Sequence, residues 1–259
     1  EKISIRSLLE QIPNRLHGIE CNGLQGSDRA YFVSRLYKEQ QTSIVAVLST
    51  SKAAETFLDD LRFFLKPFSE NLLYFPSYNI LPHKNISYHS ETTAHRICTL
   101  YRMTESRRPP LVVTTVAAIL QKLIPKEEIV DYAELIMEGE EIDRDRLIEK
   151  LISGGYVASA IVEEPGDFSI RGGILDVFSP LYPDPLRIEF FGDCVDSLRL
   201  FSAVSQRSRK PLREAVILPA REIIFKKDRI AEVVSRIRRQ AAALDIPASR
   251  IRSLVDRIK

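Results

Sequence analysis

Long apolar runs are missing from this sequence. No stretch approaches the roughly 20 residues needed to span a bilayer, and the polar start EKISIRSLLEQ has no signal-peptide pattern. These absences predict a soluble, cytoplasmic chain without a membrane partner. Cysteine is equally scarce: Cys21, Cys98 and Cys194 lie far apart, are odd in number and never form a CxxC pair, which argues against a disulfide framework and a zinc site. A reducing cytosol fits that usage. Charge of one sign is also lacking. The 37 Lys and Arg nearly cancel the 35 Asp and Glu to leave +2, so no overall field draws the chain onto nucleic acid, and DNA binding would need a local patch. There is no internal repeat and no low-complexity tract.

What is present is a length of 259 residues, enough for a sizeable core and for two domains. The first half alternates between two periodicities. SDRAYFVSRLYKEQ reads as a helix, SIVAVLST as a buried strand, SKAAETFLDDLRFFL as an amphipathic helix and NLLYFP as a second short strand. A polar, proline-bounded stretch from Pro76 to Ser90 leads into the helix ETTAHRICTLYRM, and PPLVVTTVAAILQKL reads as strand then helix. This order predicts an α/β fold with a mainly parallel sheet and helices on both faces.

The texture changes near Lys126. KEEIVDYAELIMEGEEI reads as strand and turn, and DRDRLIEKLISGGY as one helix with an N-terminal Asp. FSIRGGILDVFSP, LRIEFFGD and CVDSLRLFS are then short runs between turn signals, which predicts a meandering antiparallel sheet in a smaller, inserted α+β domain at about 127–214. EAVILPAREIIF reads as strands, and the rest, to residue 259, as helices. The expected division is residues 1–126, 127–214 and a returning portion of the first domain, cut short, at 215–259.

An α/β start invites an NTPase reading, which needs G-x-x-x-x-G-K-[ST] before a helix. The segment Gly23-Leu24-Gln25-Gly26-Ser27-Asp28-Arg29-Ala30 stands in that place and departs from it three times. Asp28 occupies the second glycine position with a negative charge, Arg29 replaces the lysine, and Ala30 lacks the hydroxyl that would hold magnesium. No nucleotide and no other cofactor is therefore expected. The plainer account is that Ser27 or Asp28 caps the next helix while Gly23 and Gly26 allow the turn. His17, His83, His89 and His95 are scattered without metal-ligand spacing, and the pairs Glu140-Glu141 and Glu163-Glu164 read as exposed edges. No motif supports an enzyme.

The informative constellation is LRIEFFGD. Strand alternation puts Leu186, Ile188 and Phe190 on a core face and Arg187, Glu189 and Phe191 on the other. An aromatic beside an arginine and an acid on a solvated face is the composition of an interface hot spot. Arg171, just before Gly172-Gly173, and Arg199 with Phe201 flank it on neighbouring strands. A plainer account pairs these arginines across strands with Glu189 or Asp176. Arg236, Arg238 and Arg239 read as a solvated helix face or a weak nucleic-acid contact.

FSIRGGILDVFSP followed by LRIEFFGDCVDSLRLF resembles the second domain shared by the excision-repair protein UvrB and the bacterial transcription-repair coupling factors. The likeness extends back through LYFPSYNILPHKNISYHSETTAHRICTLY and LVVTTVAAILQKLIP and forward through VILPAREI, about Gly23 to Phe225. It implies a degenerate helicase-like first domain and a second domain that docks the repair protein UvrA through Arg171, Arg187 and Phe191. The degraded loop at 23–30, and only Pro76–Ser90 where UvrB carries a long DNA-inserting hairpin, favour the coupling-factor side. The implied role is recruitment of UvrA to stalled RNA polymerase. Translocase ATPase activity and contacts with RNA polymerase and DNA would lie in later domains, which could also cover the docking face intramolecularly. The alternative is a UvrB-like, ATP-dependent DNA-binding helicase fragment.

Overall fold

The computed structural model describes residues 18, 20–78, 90–105, 108–224 and 229–256. His17, His83, His89 and most of the Pro76–Ser90 stretch lie outside them. The chain divides into two compact units, 1–126 and 127–259.

In the first unit the predicted alternation is realised as α1 (Asp28–Gln40), β1 (Ile44–Leu48), α2 (Ser51–Phe64), β2 (Leu72–Phe75), α3 (Ser90–Glu105), β3 (Leu111–Thr115) and α4 (Val116–Ile119). The strands form one parallel sheet in the order β1-β3-β2, because both β1 and β2 pair with the central, fully buried β3. Alternation along β3 divides the core. Leu111 and Val113 pack with Ala30 and Tyr37 of α1 and Ala54, Phe57, Leu58 and Leu61 of α2, whereas Val112 packs with Leu73, Phe75, Ala118 and Leu100 on the other face. Helices thus cover both faces, as expected for this fold class. Thr50 and Thr115 start α2 and α4 by accepting hydrogen bonds from Ala53 N and Ala118 N, both at 3.2 Å. The expectation of a buried β1 is not met: Ile44, Ala46 and Leu48 are half-buried against the α1–α2 core, and Val45 and Val47 are exposed, since β1 is an edge strand and α3 packs on β2.

Arg96 of α3 is fully buried. Its Nη1 donates to the Pro76 carbonyl at 2.9 Å and to Gln121 Oε1 at 3.1 Å. The guanidinium lies 4.2 Å from the Phe75 ring centroid and 4.5 Å from that of Tyr78, distances at which aromatic quadrupoles attract a cation. Gln121 also holds the Tyr78 backbone, accepting from its N–H and donating to its carbonyl, each at 3.1 Å.

The second unit begins with α5 (Lys126–Tyr132) and β4 (Glu134–Met137), followed by α6 (Arg144–Ser153). Residues 126–132 were expected in a strand and turn and are helical instead. Glu127 and Glu128 sit in the first turn, where the helix dipole favours acids, and Ile129 is the residue that α5 buries. Asp143 caps α6 by accepting from Arg146 N at 3.0 Å, as the sequence suggested. A six-stranded sheet then follows in the order β10-β9-β8-β7-β6-β5. Its strands are β5 (Val157–Ala158), β6 (Asp167–Arg171), β7 (Ile174–Val177), β8 (Leu186–Phe191), β9 (Cys194–Phe201) and β10 (Ser208–Leu212). All neighbours are antiparallel except β5 and β6. A separate ribbon pairs β4 with β11 (Glu214–Ile217); residues 218–224, expected in strand, are irregular.

One core serves this sheet. Leu147 and Leu151 of α6, Ile136 of β4 and Ala215 and Ile217 of β11 pack against Phe168, Leu175, Val177, Leu186, Ile188 and Phe190. The chain continues through α7 (Ile230–Ala243) and α8 (Ala248–Asp256), which bury Val234, Ala241 and Val255 and leave Arg236, Arg238 and Arg239 exposed. No helix among the described residues is long and apolar enough to cross a membrane.

Candidate functional site

With one face of the six-stranded sheet buried under α6 and the β4–β11 ribbon, the opposite face carries the chemistry. Burial along β8 alternates as the sequence requires: Leu186, Ile188 and Phe190 are buried, Arg187 and Glu189 half-buried, and Phe191 is 83% exposed. Two turns bring Phe191 and Arg171 to one end of the sheet. Phe191 pairs with Cys194 across Gly192-Asp193, where Gly192 has φ +64°, and Arg171 pairs with Ile174 across Gly172-Gly173. The second turn touches the end of β8, since Phe190 N donates to Gly173 O at 2.7 Å. A Cβ at residue 173 would stand 2.7 Å from Phe190 O, so only glycine allows this approach.

Cross-strand register sets the charged groups in rows. Asp176 lies opposite Arg187, and Arg187 opposite Arg199; one row along, Ile174 faces Glu189 and Glu189 faces Ser197. The Asp176 carboxylate is 1% exposed and accepts from two arginines. Arg187 binds both oxygens, Nε to Oδ1 at 2.7 Å and Nη2 to Oδ2 at 2.8 Å, while Arg171 Nη2 reaches Oδ2 at 2.5 Å. The hydrogen bonds that Arg187 donates to Asp176 raise its pKa above the ordinary arginine value, against the opposing effect of burial. Arg187 is 14% exposed and its guanidinium carbon lies 4.5 Å over the Phe201 ring, whereas Arg171 is 51% exposed.

The cross-strand pairing weighed in the sequence is therefore present, and the face is organised around it. Phe201, expected beside Arg199 on a solvated face, is instead fully buried. It packs with Val162, from the connection between β5 and β6, and with Phe178 and Ala203. That small cluster roofs one end of the outer face and leaves Phe191 uncovered at the other.

Glu189 forms the second ionic group. It accepts from Ser197 Oγ at 2.7 Å and pairs with both terminal nitrogens of Arg199. Arg199, then Ser197, holds the Glu189 carboxyl below its ordinary value of 4.5. A lowered folded pKa contributes stability that is complete above the unfolded value and is lost as pH falls through the folded one. Wild type should accordingly melt higher than Glu189→Gln at neutral pH, and the gap should close on acidification below about pH 4. Circular dichroism melts at a series of pH values check this; a gap constant down to pH ~3 would contradict the pairing.

The loop at 23–30 turns on two glycines ahead of α1. Gly23 and Gly26 have φ +90° and +50°, Arg29 Nε is turned back to the Leu24 carbonyl at 3.3 Å, and Ala30 is buried in the α1–α2 core. Ser27 occupies the N-cap position of α1, but its side chain makes no cap hydrogen bond, so the capping proposed for it from sequence is not found. Asp28 sits in the first helical turn. His95 is exposed beside Glu91, 4.0 Å away. Among the described residues no three His, Cys, Asp or Glu are grouped to hold a metal.

Residues 135–223, which include the whole of β6 to β11, match the family described as the UvrB interaction domain. The face just described thus belongs to a module of that class. Over 245 residues the chain is 32% identical to the transcription-repair-coupling factor of Myxococcus xanthus, covering 93% of this chain and 20% of the relative. It is 34% identical over 237 residues to that of Bacillus subtilis strain 168, covering 92% and 20%. With that of Mycobacterium tuberculosis strain CDC 1551 it shares 30% over 212 residues, covering 79% and 17%. The chain is a region homologous to the amino-terminal part of the transcription-repair-coupling factors, DNA-repair proteins, and it carries their UvrB interaction domain. It spans about a fifth of the length of these curated relatives.

Proposed function

We propose that this chain is a non-catalytic docking module whose 127–214 domain binds UvrA with the face that Arg171, Arg187 and Phe191 build, and so recruits excision repair to stalled RNA polymerase. The observation that carries the reading is Phe191. A phenyl ring 83% exposed at a hairpin tip, inside the matched domain and on the sheet face that carries the ion-paired arginines, has the composition of an interface anchor. A repair-protein partner is what the domain class implies.

The loop at 23–30 is unsuited to catalysis on a nucleotide. Asp28 brings a carboxylate where phosphates would lie, the Arg29 side chain is turned to Leu24, and buried Ala30 has no hydroxyl for a metal. Contacts with RNA polymerase and DNA, and any ATP-driven translocation, are assigned to later domains of the longer proteins.

Calorimetric titration of the chain with UvrA, in parallel with ATP, tests the proposal. Phe191→Ala is expected to weaken UvrA binding by about 2 kcal/mol, roughly 30-fold, with no change in melting temperature because the ring packs on nothing in the core. Undiminished binding by this variant would sink the site. Saturable ATP binding would return the UvrB-like ATPase reading to first place.

A further inference from the structure

The two arginines of the docking face are not equivalent, and the difference lies in the acid they share. Arg187 is mostly buried, stacked on Phe201, and engages both oxygens of Asp176 in a bidentate fork. Arg171 is half exposed and commits a single nitrogen to the same carboxylate. From this geometry we infer that Asp176 is the positioning residue of the docking face: it fixes Arg171 as the cation that meets an acidic group of the partner, while Arg187 acts from beneath by holding Asp176. The inference rests on the docking reading above.

Three features support it. The first is charge: two guanidiniums share one carboxylate, and Glu189 is matched separately by Arg199. Among these three arginines and two acids, one positive charge is therefore left uncompensated. The second is access: of the pair, the half-exposed Arg171 is open to a partner, whereas Arg187 is closed in by Asp176 below the surface and Phe201 against its plane. The third is placement: the Gly172-Gly173 turn that follows Arg171 bonds to Phe190, so the anchored arginine and the exposed Phe191 sit at the same end of the sheet. The complementary partner surface is an apolar recess for a phenyl ring with one carboxylate at its margin. Holding one long side chain in its bound geometry beforehand is worth about 2- to 12-fold in affinity.

A mutant cycle against UvrA tests this. Asp176→Asn keeps the shape of the side chain and removes the charge; it should weaken binding about 3- to 10-fold in an otherwise wild-type chain. In an Arg171→Ala background the same change should alter affinity less than about twofold, and in a Phe191→Ala background it should keep its full effect. A purely structural role would produce the same loss in every background. That result, no loss, or tighter binding would each overturn the inference. Should Asp176→Asn fail to fold, the Asp176→Leu, Arg187→Met double variant replaces the buried pair with apolar groups and removes the anchor of Arg171. It should show the same loss as expected for Asp176→Asn. A much larger loss means that Arg187 itself touches the partner, and wild-type affinity means that Arg171 needs no anchor; both overturn the division of roles. Failure of the docking reading looks different: neither Phe191→Ala nor Arg171→Ala changes UvrA binding, or wild type does not bind, and the inference falls with it.

Discussion

Arg96→Ala is expected to destabilise the first unit by about 3 to 5 kcal/mol. The side chain has no exposed surface and fills a slot between two aromatic rings, so truncation leaves a cavity between Phe75 and Tyr78. It also strips the Arg96 donor from the Pro76 carbonyl, at a cost of about 1 to 3 kcal/mol for a buried group left unsatisfied, whereas Gln121 Oε1 keeps its bond from the Tyr78 N–H. The cation–aromatic contacts, each about 0.5 to 2 kcal/mol, are lost as well. Arg96→Met should cost less, because an unbranched apolar chain refills part of the slot. Urea unfolding followed by far-ultraviolet dichroism, with hydrogen exchange at Leu111–Thr115, measures the effect. Protection should fall in β3 and persist in β7 and β8, whose core shares no residue with that of the first unit. A change within about 1 kcal/mol would mean that the slot closes on truncation and that neither the cavity nor the lost contacts carry the expected cost.

Nothing in the local sequence announces Arg96. An arginine inside ETTAHRICTLYRM reads as a solvent-facing helical position, and its burial depends on groups supplied by Pro76 and Gln121, 20 and 25 residues away. The face of β8 was legible for the opposite reason. Six consecutive residues alternate between large apolar and polar or terminal ones, and a period of two admits a single assignment of faces. Phe201 follows the same alternation, yet its burial is decided by Val162 arriving from a loop that sequence periodicity does not describe. The helix at 126–132 escaped for want of length: with Ile129 as its one buried residue, a helical stripe cannot be told from a strand. At the site, Asp176 was readable as a cross-strand partner. That it binds two arginines at once depends on the register of β6, β7 and β8 together.

Asp176→Ala is expected to destabilise the second unit by about 3 to 5 kcal/mol, as breaking a buried ion pair from one side does. The lost hydrogen bonds are the smaller part. Arg187 would remain charged, 14% exposed and pressed on Phe201, with its counter-ion gone. Arg171 relaxes into water at little cost because it is half exposed already. Asp176→Leu with Arg187→Met should recover most of the loss, since well-packed apolar replacements of a buried pair are often neutral or stabilising. If Arg187→Met alone is also costly, the cycle attributes the penalty to whichever charge is left stranded. Urea unfolding of the three variants decides it, and a cost below about 1 kcal/mol for Asp176→Ala would show that Arg187 escapes to solvent when released. Phe191→Ala, measured alongside, should unfold with wild type. Together these results would separate the residues that hold the face in shape, Asp176 and Arg187, from the exposed ring that the partner grips.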